Sequence, residues 1–125
     1  MKALVVETQR IKDNLKIVKE IINSDEQKVT LIAVVKGNGY GLGLVEYAQF
    51  LADNGIEIFA VATVQEAVKL RKNGIKQDIL MLSSTEIKED IEELIQNDII
   101  LTIGSKGAAE IVDEVAQSQN KKARA

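Results

Sequence analysis

The stretch Ala33-Val34-Val35-Lys36-Gly37-Asn38-Gly39-Tyr40-Gly41-Leu42-Gly43 joins an apolar run suited to a buried strand to a turn rich in glycine. The run ends in a lysine, and four glycines then fall within seven residues around one tyrosine. At the carboxyl edge of a parallel sheet, strand-terminal side chains are where ligands are held. A lysine there is expected to be partly desolvated, which makes its amine a better nucleophile and base. Glycines let the backbone approach a ligand closely, and the Tyr40 hydroxyl is placed to donate to a phosphate. The plainer readings are a solvated loop lysine and a simple nucleotide loop. A P-loop does not fit, because no Gly-Lys-Ser/Thr follows at the required spacing. The dinucleotide spacing fits poorly too: counted from Gly39, its third glycine falls at Leu44.

On either side, two periodicities alternate. Runs suited to buried strands lie at Leu31–Val35, Glu57–Ala62, Ile79–Leu82 and Ile99–Ile103. Between them are helix-length stretches with apolar residues three and four apart, Ile11-Leu15-Val18-Ile22 and Ile87-Ile91-Leu94-Ile95 among them. Strands of Val, Ile and Leu without polar alternation are what a parallel sheet under helices requires. A short repeat supports this. Leu51-Ala52-Asp53-Asn54-Gly55-Ile56 recurs as Leu70-Arg71-Lys72-Asn73-Gly74-Ile75, and more weakly as Leu94-Ile95-Gln96-Asn97-Asp98-Ile99. Asn-Gly supplies the left-handed residue that ends a helix, and the following Ile enters the next strand. Thr63-Val64-Gln65-Glu66 and Ser83-Ser84-Thr85-Glu86 both fit a capping box, and Ser105 is a further candidate cap. The chain therefore reads as α/β, in strand–helix units about 20 to 26 residues apart. Such units suit a β/α barrel or a small doubly wound parallel sheet, and periodicity alone does not separate the two.

Composition narrows the chemistry. With 125 residues, 46% of them hydrophobic, the chain can bury a core. A net charge of -3 argues against nucleic acid as a partner. Cysteine and histidine are both absent, so no thiolate or imidazole metal site is expected and acid–base work falls to Lys, Tyr, Asp, Glu or a cofactor. No apolar run reaches the ~18 residues of a membrane helix. The first residues are too short and too soon acidic for a signal peptide, so a cytoplasmic location is expected.

The lysine segment resembles the cofactor-attachment motif of alanine racemases, Val-Val-Lys-Ala-Asn-Ala-Tyr-Gly-His-Gly, at the end of the first barrel strand. The likeness extends through Asn14-Leu15, Phe59-Ala60-Val61-Ala62-Thr63, Glu66-Ala67, Leu70-Arg71, Gly74-Ile75 and Ile79-Leu80-Met81-Leu82, to about residue 112. It implies that residues 1–125 are the N-terminal part of a β/α (TIM-type) barrel domain that binds pyridoxal 5'-phosphate (PLP). The rest of the barrel and a C-terminal β domain would lie beyond them. It implies that Lys36 is the Schiff-base lysine and one of two acid–base groups, that Tyr40 helps hold the phosphate, and that Leu82 lines the cofactor pocket. The implied activity is racemisation of a small-molecule amino acid, L-alanine to D-alanine for cell-wall precursors, by a homodimeric enzyme. A non-catalytic PLP-binding module of the same fold is the alternative.

Two departures from the motif stand out. Gly37 and Gly39 replace alanines, a change expected to loosen the loop, and Leu42 replaces a histidine. The family's opposite-face tyrosine and pyridine-binding arginine have no matching positions. Arg10, Arg71 and Arg124 are expected to be solvated surface residues, and residues 120–125 the approach to another strand. Half a barrel leaves edge strands unpaired and one sheet face uncovered. The isolated chain is therefore expected to oligomerise, swap elements or be marginally stable, with little or no catalysis.

Overall fold

The computed structural model describes residues 1–24 and 28–125. These fall into two units, residues 1–31 and 32–125. In the first, helix α1 (Thr8–Ile22) carries the expected stripe, with Ile11, Leu15 and Ile22 half-buried and Val18 exposed.

The second unit runs β1 (Ile32–Val34), a short left-handed turn α2 (Lys36–Tyr40), α3 (Leu44–Asp53), β2 (Ile58–Val61), α4 (Val64–Lys72), β3 (Asp78–Met81), α5 (Lys88–Gln96) and α6 (Lys106–Ser118). The strands form one parallel sheet in the order β1-β2-β3. The expected fourth strand is reduced to isolated parallel bridges, Leu80 with Ile100 and Ile100 with Arg124. These extend the sheet in the same direction. Spatial order thus follows chain order throughout, as in a barrel. A doubly wound sheet reverses its strand order at a switch point, and no reversal occurs here.

Register divides the sheet into two faces. Val35, Phe59, Val61, Ile79 and Met81 are buried on the helix-covered side, each buried large side chain contributing about 1.5–3 kcal/mol. On the other side Ile32, Val34 and Leu82 are exposed. The central strand β2 is buried on both sides, with Phe59, Ala60 and Val61 all inaccessible, so its sequence shows no polar alternation.

The helices end as the repeat predicts. The Ile56 amide reaches the Leu51 carbonyl (3.0 Å) and the Gly55 amide the Ala52 carbonyl (3.0 Å), the paired bonds of a Schellman motif. Ile75 with Leu70 and Ile99 with Leu94 repeat the longer bond, and so does Lys121 with Ala116, after a helix whose end lacks the sequence repeat. Gly74 occupies the left-handed position after α4 at φ 89, whereas Asp98 and Asn120 do so at φ 53 and 50 without being glycine.

Helix starts are less uniform. Thr63 Oγ1 accepts from the Glu66 amide (3.2 Å) and Ser105 Oγ from the Ala108 amide (2.9 Å), as expected of caps. The box at Ser83-Ser84-Thr85-Glu86 does not form. Helix α5 starts at Lys88 behind an uncapped Ile87, and the side chains of Ser84, Thr85 and Glu86 are engaged elsewhere. Ser84 Oγ accepts from the Gly104 amide (2.9 Å), Thr85 Oγ1 accepts from the Ile87 amide (3.1 Å), and Ser105 donates to Glu86.

Arg71 and Arg124 are not the free surface residues that the sequence suggests. The Arg71 guanidinium donates to four carbonyls, those of Ile75 (2.7 Å), Gln77 (3.1 Å), Asn97 (3.0 Å) and Asp98 (3.0 Å). It gathers the turns after α4 and α5, where helix ends leave carbonyls without partners. Arg124 holds Asp78 through two bonds of 2.8 Å. Arg10 matches expectation, being well exposed and paired with Glu7 on its own helix.

Candidate functional site

Lys36 follows β1 after one residue, Val35, whose amide continues the ladder to the Ala60 carbonyl (2.9 Å). In register it stands two residues beyond Val34, as Leu82 stands two beyond Leu80, and Val34 and Leu80 share partners on the uncovered face. The amine is exposed rather than partly desolvated. The physical reason is the sheet's division: the helices bury the opposite face, while Ile32 and Val34 of the same strand and Leu82 two strands away are exposed as well. Among the described residues, Lys36 Nζ makes no hydrogen bond or ion pair.

The turn after the lysine is left-handed. Gly37 (φ 63, ψ 46), Asn38 (φ 53, ψ 44) and Gly39 (φ 63, ψ 39) form it, and Tyr40 continues it at φ 53. Asn38 and Tyr40 each bear the strain of a side chain in this region, about 1–2 kcal/mol for an ordinary L residue and less for asparagine. Such strain persists only where neighbours over-determine the backbone. Here they do. Asn38 Oδ1 accepts from the Leu44 amide (3.0 Å), serving as a remote cap for α3, whose own N-terminal residue Gly43 has no side chain. The Gly43 amide bonds the Asn38 carbonyl (3.0 Å). Glu66 Oε1 accepts from the Gly37 amide at 2.7 Å and the Asn38 amide at 3.4 Å, while Oε2 accepts from Ala62 (3.1 Å). The glycines therefore do not loosen this loop. They relieve two positions of a turn that is bonded from two sides.

Burial works against a charge on Glu66, but amides of Ala62, Gly37, Asn38 and Thr63 outweigh it and hold the carboxyl below its ordinary 4.5. No sequence pattern announced this role, since the contact spans 29 positions. The capping-box reading of Glu66 was the only available signal, and in the structure its carboxylate reaches further than a box requires.

Tyr40 is 63% exposed and Leu82 41% exposed. Lys36 and Tyr40 are brought together by the turn itself, and Leu82 joins them only through the register of the sheet. Leu42 is half-buried. A separate concavity of about 750 Å³ lies away from this edge, lined by Ile103, Val112, Ala116 and residues of the C-terminal segment. A PLP-type group needs an uncommitted amine for its aldehyde and a nearby hydroxyl for its phosphate. Lys36, whose amine has no partner among the described residues, and the exposed Tyr40, both presented by one bonded turn, fit that demand. No helix among the described residues is long and apolar enough to cross a membrane.

Residues 6–125 match the family model described as the alanine racemase N-terminal domain. Alanine racemase of Staphylococcus saprophyticus is 45% identical over 93 residues, covering 74% of this chain and 24% of that protein. Among solved structures, alanine racemase of Clostridium difficile superposes with a TM-score of 0.78 at 37% identity, over 89% of this chain and 29% of the other. Histidine racemase of Leuconostoc mesenteroides superposes with a TM-score of 0.82 at 25% identity, over 93% and 30%. The chain thus spans less than a third of the length of each of these proteins.

Proposed function

The chain belongs to the alanine racemase family, matching the model of its N-terminal domain, and from that premise we propose that the full-length protein racemises an amino acid with PLP held at Lys36. The observation that carries the reading is Lys36, exposed and without a side-chain partner among the described residues, just past β1 and followed by a clamped left-handed turn. When bound, the cofactor supplies the electron sink that makes an α-proton removable. The chain's own residues do the rest of this half of the site. Lys36 Nζ would hold the cofactor at its aldehyde carbon and would carry a proton to or from one face of the substrate α-carbon. Tyr40 Oη would donate to the phosphate, and Leu82 would offer an apolar wall.

The group acting on the opposite face comes from outside these residues, as a tyrosine of a second domain in a homodimer. Alanine is the substrate proposed, with D-alanine made in the cytoplasm for cell-wall precursors. Because a histidine racemase shares this architecture as closely as an alanine racemase does, turnover is assayed across amino acids, with alanine expected fastest.

The test adds PLP to the full-length protein, reduces the visible-absorbing complex with borohydride and maps the modified lysine. Label on Lys36 and loss of the band in Lys36→Ala are expected. A label on another lysine removes the site assignment. Cofactor bound at Lys36 without turnover of any amino acid leaves a non-catalytic PLP module instead.

A further inference from the structure

The first two amides after Lys36 converge on a single carboxylate. Gly37 and Asn38 both donate to Glu66 Oε1, at 2.7 and 3.4 Å. The other oxygen accepts from Ala62 at the end of β2 (3.1 Å), and the Glu66 amide is anchored on Thr63 Oγ1 (3.2 Å). One side chain therefore ties the start of α4 and the end of β2 to the residue beside the lysine. The direction in which the chain leaves Lys36 follows from those two bonds, and so does the course of the turn that ends at Tyr40. We infer that Glu66 is a positioning residue for the lysine: its carboxylate fixes the turn after Lys36, and through the turn the placement of Nζ and of the Tyr40 hydroxyl.

Glu66 acts on backbone amides and not on the lysine side chain, so its effect reaches the cofactor only through that turn. Its carboxyl is held ionised against partial burial, which keeps both oxygens available as acceptors. The inference rests on the reading of Lys36 given above. A helix-stabilising role alone would be confined to α4, and the same helix offers a control. Thr63→Ala removes the cap of α4 without touching the amides of Gly37 or Asn38.

The experiment uses the full-length enzyme with PLP, as wild type, Glu66→Gln, Glu66→Asp, Glu66→Ala and Thr63→Ala. It measures the cofactor dissociation constant, the pH dependence of the bound cofactor's visible band, apo-protein melting, and amide exchange at Gly37 and Asn38. Glu66→Ala and Glu66→Gln are expected to speed exchange at both amides, weaken cofactor binding by about tenfold or more and displace the band's pH profile. Glu66→Asp, with the charge kept on a shorter arm, restores part of each. Thr63→Ala, which frees the Glu66 amide but keeps the carboxylate, lowers melting and weakens cofactor binding by clearly less than the Glu66 variants do.

Unchanged binding and an unchanged pH profile in the Glu66 variants would overturn the inference, whatever happens to turnover. So would an equal loss of cofactor binding in Thr63→Ala. If Glu66→Ala does not fold, Glu66→Gln and Glu66→Asp carry the same comparison. Borohydride mapping of the wild type keeps the two claims apart. A label away from Lys36 removes both, whereas a label on Lys36 with indifferent Glu66 variants removes this one alone.

Discussion

The two edges of the sheet are built differently. At the amino edge, where helices hand over to strands, four turns after α3, α4, α5 and α6 share the same bond to the residue five positions back. At the carboxyl edge the turns differ from one another, apart from the side-chain cap that Thr63 and Ser105 share. One is a left-handed turn clamped by Glu66 and Asn38, one is the compact Thr63 cap, and one ties Ser84 and Glu86 across to the loop before α6. Uniform turns need satisfy only the backbone, and one local solution serves them all. Turns that hold a ligand must each place a different side chain, which is why function gathers at this edge of barrel folds and stability at the other.

The largest departure from that contrast is expected at Arg71, which bridges two amino-edge turns. Arg71→Ala strands four carbonyls and should cost about 3 kcal/mol in urea unfolding of the full-length protein. Arg71→Lys should recover less than half of it, since an ammonium lacks the planar fork. Equal stability of the Lys variant and wild type would show that charge alone suffices. Next comes Gly74→Ala, where φ is 89 and no atom lies within 4 Å of the added methyl. The cost there is backbone strain alone, about 1–2 kcal/mol. Asp98→Gly, at the equivalent left-handed position, should instead be neutral or gain up to about 1 kcal/mol.

Capping offers a finer comparison. Thr63→Ala and Ser105→Ala should each lose about 1 kcal/mol, while Ser83→Ala, at a start signal that no helix uses, should lose almost nothing. A sizeable loss at Ser83 would mean that the box forms in solution. The smallest effect concerns acid. Glu66 and Asp78 both titrate below their ordinary values of 4.5 and 3.8, Glu66 through backbone amides that outweigh its burial and Asp78 chiefly through Arg124. A depressed folded value means stabilisation that is full above the ordinary value and lost as pH falls through the lower one. Unfolding midpoints should therefore drop from about pH 4.5 downward, with a shallower slope in Glu66→Gln. The Asp78 share is expected to stay under about 1 kcal/mol and shrink with salt, because the pair is partly exposed.

Much of the amino edge was legible beforehand. The repeat around Asn54-Gly55, Asn73-Gly74 and Asn97-Asp98 records a local rule, a left-handed residue followed by an apolar one, and local rules leave marks at fixed spacing. The fourth instance, at Asn120, escaped because its helix lacks the leucine that opens the others. The proposed pair Lys36 and Tyr40 likewise lies in one short segment, so the pattern that suggests it is local. Arg71 was not legible, since its four partners sit in two separate turns. The failed box at Ser83 shows the reverse: a valid local signal lost to partners at Gly104 and Ser105 that the linear pattern does not contain.

Residue order was thus enough for the alternation of strand and helix, the ends of most helices and the place of Lys36 just past the first strand, because each depends on neighbours a few residues apart. The direction in which the sheet winds, the exposure of Lys36 and the clamp from Glu66 were decided by the folded chain alone. Each of these depends on which strands lie side by side, and that pairing is set by packing across tens of residues.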